Sequence, residues 1–190
     1  MSKTYDTLEP ALVELIERQH VFFVATAPLG EEGRINLSPK GHDTFRVLGP
    51  REVAYLDLTG SGIETIAHVR ENGRIVVMFC TFEGPPKILR LWGRAEVLEP
   101  GDARYATLAA RLPSRRGARA IIRVDVEHIA DSCGYSVPRM TFESERNQLD
   151  LWTAKRDDAA LAEYRSRKNA VSLDGLPGLR AAGPGDPPAR

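Results

Sequence analysis

Hydrophobic and polar positions change rhythm several times along the chain. In residues 9–20, Leu12, Leu15 and Ile16, with Leu8 just before them, recur at helical spacing and predict a short amphipathic helix. From residue 21 the rhythm becomes that of strands. Residues 21–27 are a continuous apolar run, 34–39 and 44–48 are shorter candidates, and 52–58 alternate. Residues 75–80 (IVVMFC) are apolar throughout, as in a strand buried on both faces. Residues 87–98 alternate cleanly, with Leu89, Leu91, Gly93, Ala95 and Val97 on one side and Arg90, Trp92, Arg94 and Glu96 on the other. Residues 120–129 do the same, and strict alternation puts His128 on the apolar side as a core histidine. Helical spacing returns over 63–72, over 102–112 with Tyr105, Leu108, Ala109 and Leu112 on one stripe, and over 148–168. Asp157-Asp158 divides that last stretch into two pieces.

About seven strands with few helices predict a closed or nearly closed sheet. Only residues 82–86 separate two of the strands, too few for a parallel crossover, which takes a dozen residues or more. That pair must be antiparallel. A closed sheet also removes the exposed edges a strand-rich chain would otherwise have to protect.

Composition narrows the function more than the fold. The 190 residues suit one domain. Lys and Arg (26) balance Asp and Glu (26), so no global field draws the chain to nucleic acid or an anionic membrane. The densest basic stretch, Arg111, Arg115, Arg116, Arg119 and Arg123, reads as a solvated loop and strand face. Cys80 and Cys133 form no CxxC or secretory framework, and the four histidines have no metal-site spacing. No GxSxG nucleophile elbow is present. The first residues carry no apolar leader and no run is long enough to span a bilayer, so a cytoplasmic protein with neither membrane nor nucleic-acid partner is expected. Residues 171–190 are rich in Pro and Gly.

The chemistry concentrates at "LDLTGSGIET", residues 56–65, where a strand runs through Thr59-Gly60-Ser61-Gly62 into a helix. A dinucleotide fingerprint starts here but fails, because Thr65 stands at its third glycine and the next connection is a hairpin. A capping box fits locally, with Ser61 as N-cap and Glu64 at the third helical position. A phosphate site also fits, since free N–H groups at a helix start and the hydroxyls of Thr59, Ser61 and Thr65 suit a phosphomonoester. Cap and phosphate can coexist, because orphan donors remain after one box is made. The nearest basic donor is Lys40, in "INLSPKG".

The order of "GRINLSPKG", "VAYLDLTGSGIETIAHVRENGRIVVMF" and "ILRLWGRAEVL", followed by "DSCGYSVP" and "KNAVSLDGLPGL", resembles the pyridoxamine 5′-phosphate oxidase-like family of split-barrel flavoproteins, in a bacterial branch, over roughly residues 8–179. The resemblance implies a mainly β (α+β) fold, a six-stranded antiparallel Greek-key split barrel with a few flanking helices. It implies a homodimer with FMN between the subunits, so that the flavin carries the redox chemistry. Residues 1–170 would form one flavin-binding domain including the C-terminal helical segment, and 171–190 a tail with a disordered end.

Carried onto this chain, the strand with Asn36 runs beside the flavin ring, and Ser38 and Lys40 approach the phosphate. Thr59, Gly60, Ser61, Gly62 and Thr65 close around it. Ser132 and Tyr135 reach the flavin across the dimer, and Trp152 either stacks over the cofactor edge or anchors the C-terminal helix. One departure stands out: the family's Arg-Lys pair after the Ser reads Gly62-Ile63 here. Lys40 or an arginine such as Arg94 must compensate, or FMN is held more weakly, and vitamin B6 oxidation is not assigned. The expectation is an FMN oxidoreductase acting on a small molecule. The alternatives are a flavin carrier or redox sensor without turnover, and a split barrel using deazaflavin or haem.

Overall fold

The alternating segments build one antiparallel sheet. The computed structural model describes residues 2–180, and the expected disordered end of the tail falls among residues 181–190, outside them. In chain order the elements are β1 (Lys3–Tyr5), α1 (Pro10–Glu17), β2 (Phe22–Thr26), β3 (Asn36–Lys40), β4 (Phe45–Gly49) and β5 (Glu52–Leu58). Then come α2 (Glu64–Asn72), β6 (Arg74–Cys80), β7 (Ile88–Leu98), α3 (Tyr105–Ala109), β8 (Ala118–Ser132), α4 (Gln148–Ala154) and α5 (Asp158–Lys168). The strand order is β3-β2-β6-β7-β8-β5-β4, with β1 on β8. Every pairing is antiparallel, including the β6–β7 hairpin. The expected split-barrel class holds with eight strands rather than six; the polar N-terminal residues gave no periodic hint of β1.

The sheet rolls around a single interior. Phe45 on β4, at one end of the strand order, meets Phe22 on β2 and Phe79 on β6 with ring centroids 5.1 Å apart in both cases. Val53, Tyr55, Val77, Leu89, Leu91, Ile122 and Val124 fill the space between. Strand β5 is buried on both faces, because Ala54 and Leu56 pack outward against Leu108, Leu112 and Ile121 beneath α3. The predicted helix over 102–112 is regular only at Tyr105–Ala109. The C-terminal helix divides where expected, with the Asp157 carboxylate accepting from the Ala160 N–H as the N-cap of α5.

One side chain changes sides. His128 is exposed and packs against Trp92, with ring centroids 5.3 Å apart and planes tilted by 50°. The register steps from Trp92 opposite His128 to Gly93 opposite Val126, leaving Glu127 as an extra residue in β8. This bulge inverts the alternation, so Glu127 and His128 both face out and Ile129 returns to the core. Gly93 permits it, since a Cβ there would lie 2.1 Å from the Asp125 carbonyl oxygen.

Candidate functional site

Asn36, Ser38 and Lys40 alternate along β3 and therefore project from one face of it. The Asn36 amide donates to Thr65 Oγ1 on α2 (3.0 Å) and to Thr26 Oγ1 on β2 (3.2 Å), and accepts from Ser38 Oγ (2.9 Å). Thr26 Oγ1 lies 3.0 Å from Nδ1 of His68, which is fully buried and whose Nε2 has no partner among the described residues.

Two positions further on, Lys40 Nζ sits 2.8 Å from Oδ1 of Asp57. The other Asp57 oxygen accepts from Arg119 Nε at 2.7 Å. Burial pushes the Asp57 carboxyl up, but the charges and hydrogen bonds of Lys40 and Arg119 outweigh it and hold the group below the ordinary carboxylate range. Arg119 then spends its remaining donors on the loop after β5, giving one to the Gly60 carbonyl (3.2 Å) and one to the Gly62 carbonyl (2.7 Å). The Asn169 amide adds a second donor to Gly60 O at 2.8 Å. Arg165 on α5 donates to Thr59 Oγ1 at 3.0 Å and to the Ala118 carbonyl at 3.1 Å. Burial and then the Arg119 charge lower its pKa. Two cations thus hold one buried carboxylate, and a third, Arg165, braces the start of the loop.

A trans peptide carries its N–H opposite its C=O. Turning the Gly60 and Gly62 carbonyls onto Arg119 therefore turns the Ser61 and Ile63 N–H groups away from it. Ser61 and Gly62 are exposed, and the Ser61 N–H is unpaired among the described residues. The capping box does not form. Helix α2 begins at Glu64, no side chain caps it, and Glu64 Oε2 accepts from the Ile63 N–H at 2.9 Å.

The structure gathers Asn36, Ser38, Lys40, Thr59, Gly60, Ser61, Gly62 and Thr65 into this one seam. It does not bring the other candidates there. Ser132 accepts from Arg90 at 3.1 Å and is the last residue of β8, and the exposed Tyr135 lies just past it, about 45 Å of strand contour from Ala118. Trp152 packs edge-on to Tyr164 at 4.8 Å, with Arg156 stacked 4.0 Å from its ring, which is the anchoring alternative. Arg94 donates to the Asn72 carbonyl at the opposite end of α2 from the loop. Arg119 is no part of a solvated face, being 5% exposed, while Arg115, Arg116 and Arg123 pair with Asp150, Asp158 and Glu52.

A family model described as pyridoxamine 5′-phosphate oxidase matches residues 8–133, well over half of the chain. The chain belongs to that family. A family member from Aspergillus flavus, the pyridoxamine 5′-phosphate oxidase family protein ustO, is 43% identical over 198 residues, covering 94% of this chain and 78% of that one. Among solved structures, a HupZ variant from Group A Streptococcus is similar with TM-score 0.51 and 24% identity over 66% of this chain and 99% of its own. A candidate pyridoxamine 5′-phosphate oxidase from Lactobacillus delbrueckii matches with TM-score 0.51 and 20% identity over 67% and 98%. At these identities the two structures support the fold.

Four of the residues that build the seam gave little local signal. Arg119 and Asp57 are charges embedded in apolar strand positions, a pattern that points to a buried pair but not to its partner. Arg165 and Asn169 lie beyond the stretch matched by the family model and arrive only through the C-terminal fold. Among the described residues, no group of three or more His, Cys, Asp or Glu is placed to hold a metal, and no helix is long and apolar enough to cross a membrane.

Proposed function

We propose that the chain is an FMN-binding oxidoreductase that works as a homodimer on a small molecule. One observation carries this reading: Asn36, Ser38 and Lys40 line one face of β3 beside a loop whose carbonyls are drawn inward by Arg119 and Asn169. That arrangement fits a phosphomonoester, with the Ser61 N–H and hydroxyl and the Lys40 ammonium as donors on the outside and Arg119 and Arg165 adding charge behind. Lys40, Arg119 and Arg165 stand in for the missing Arg-Lys pair. FMN, when bound, supplies hydride or single-electron transfer. The protein's own groups hold the phosphate and orient the ring along β3.

The dimer reading rests on the outer face of the sheet. Leu37, Ala25, Val76, Trp92 and His128 form one row across five paired strands, and Pro39, Phe23, Met78, Arg90 and Ala130 the next. Ile35 and Leu37 are 79% and 64% exposed. A largely apolar band of this kind, interrupted by Arg90 and His128, supports an interface with a second copy. A second copy on this face is also the route by which Ser132 and Tyr135 would reach the cleft.

Fluorescence titration with FMN and with riboflavin tests the reading. Lys40→Ala should weaken FMN by roughly ten- to a hundredfold, the worth of one charge-assisted bond, and leave riboflavin little changed. Equal loss for both ligands would show that Lys40 does not meet the phosphate.

A further inference from the structure

The two N–H groups that the Thr59–Gly62 turn directs away from Arg119 are not equally free. Glu64 folds back so that its Oε2 takes the Ile63 N–H at 2.9 Å, while its Oε1 lies 3.4 Å from the Leu173 N–H. This pose is built into the sequence. A Cβ on Gly62 would stand 2.9 Å from Glu64 Oε2, so any side chain at that position would have to move the carboxylate. Gly62 thus leaves room for the folded-back glutamate. The site around it is otherwise cationic, with Lys40, Arg119 and Arg165 against Asp57. Asn169 is fully buried against Gly60 with its Oδ1 unpartnered among the described residues.

We infer that Glu64 is an internal stand-in for the ligand's anion: its carboxylate occupies a phosphate-binding donor of the turn, and a phosphorylated ligand displaces it. Leu173 lies in the C-terminal segment, and its N–H, already 3.4 Å from Glu64 Oε1, can keep the carboxylate when the Ile63 N–H is given up. Glu64 thereby sets the preference between phosphorylated and unphosphorylated flavins, which the neighbouring cations alone would drive strongly toward the phosphate. This rests on the proposed FMN site.

The test is the pair of dissociation constants, for FMN and for riboflavin, in the full chain and in Glu64→Gln. The amide keeps an oxygen acceptor for the Ile63 N–H and removes only the charge. Glu64→Gln should tighten FMN by about tenfold while riboflavin changes by less than about twofold, and Glu64→Ala should raise the same ratio at some cost in thermal stability. If both proteins bind FMN with an unchanged or lower FMN-to-riboflavin preference, Glu64 is a helix cap and the inference falls while the FMN site stands. If neither protein binds FMN, the site reading falls and takes the inference with it.

Discussion

Lys40→Met isolates the contribution of one cation to the buried carboxylate. The substitution keeps the side-chain stem and removes the ammonium that lies 2.8 Å from Asp57 Oδ1. The Asp57 side chain is fully buried and that of Lys40 is 20% exposed, so solvent screens the pair weakly. Removing one partner of a buried pair costs about 3–5 kcal/mol when the other charge is left uncompensated. Here Arg119 still holds Asp57 at 2.7 Å, so the expected loss is about 1.5–3 kcal/mol, the worth of a hydrogen bond to a charged group. In urea unfolding at pH 7 that is a fall of roughly 1 M in the midpoint. The sign with pH follows from the depressed carboxyl. Asp57 contributes stability that is present above its unfolded pKa and is lost as pH falls through the lower folded value. The gap between wild type and Lys40→Met should therefore be constant near neutrality and close as the pH drops below the ordinary carboxylate range. A gap under about 0.5 kcal/mol at pH 7, or one that persists unchanged at low pH, would refute this account of the pair.

Two further outcomes bear on the site's frame. In Gly178→Ala the new Cβ would meet the Asn169 carbonyl oxygen at 2.1 Å and Ile63 Cγ1 at 2.7 Å, forcing the C-terminal segment away from the loop. A loss of about 1–3 kcal/mol, read as a melting temperature lower by roughly 3–10 °C, is expected, together with weaker FMN. An unchanged melt would show that the segment does not brace the loop. Leu37→Asp places a charge in the apolar band of β3 and should shift the protein to monomer in sedimentation velocity, with flavin lost in parallel; a dimer that keeps its flavin would place the interface elsewhere.

Strand periodicity located most of the barrel because alternation is a local property. The stretch at 52–58 coincides with β5, and the short link at 82–86 forced the antiparallel pairing that is seen. His128 was misplaced by the same rule, since a bulge adds a residue without altering the apolar pattern that precedes it. At the site, Lys40 and the loop were legible because β3 and the β5–α2 turn carry short, chemically distinctive strings. The charges behind the loop were not, because Arg119 and Arg165 are 59 and 106 residues from their partners Gly60 and Thr59, and only the fold makes them neighbours. Ser61 as a cap failed for a related reason. The local pattern offered two ways to satisfy the helix start, and Arg119, reaching in from β8, holds the turn in a pose that leaves the Ile63 N–H to Glu64.

The visible absorption spectrum of the purified protein, with mass identification of whatever heat releases, tests the central claim most directly. The account predicts a yellow protein with a flavin spectrum that releases FMN. A colourless protein that takes up no added FMN, or one that releases a deazaflavin or haem instead, would contradict it.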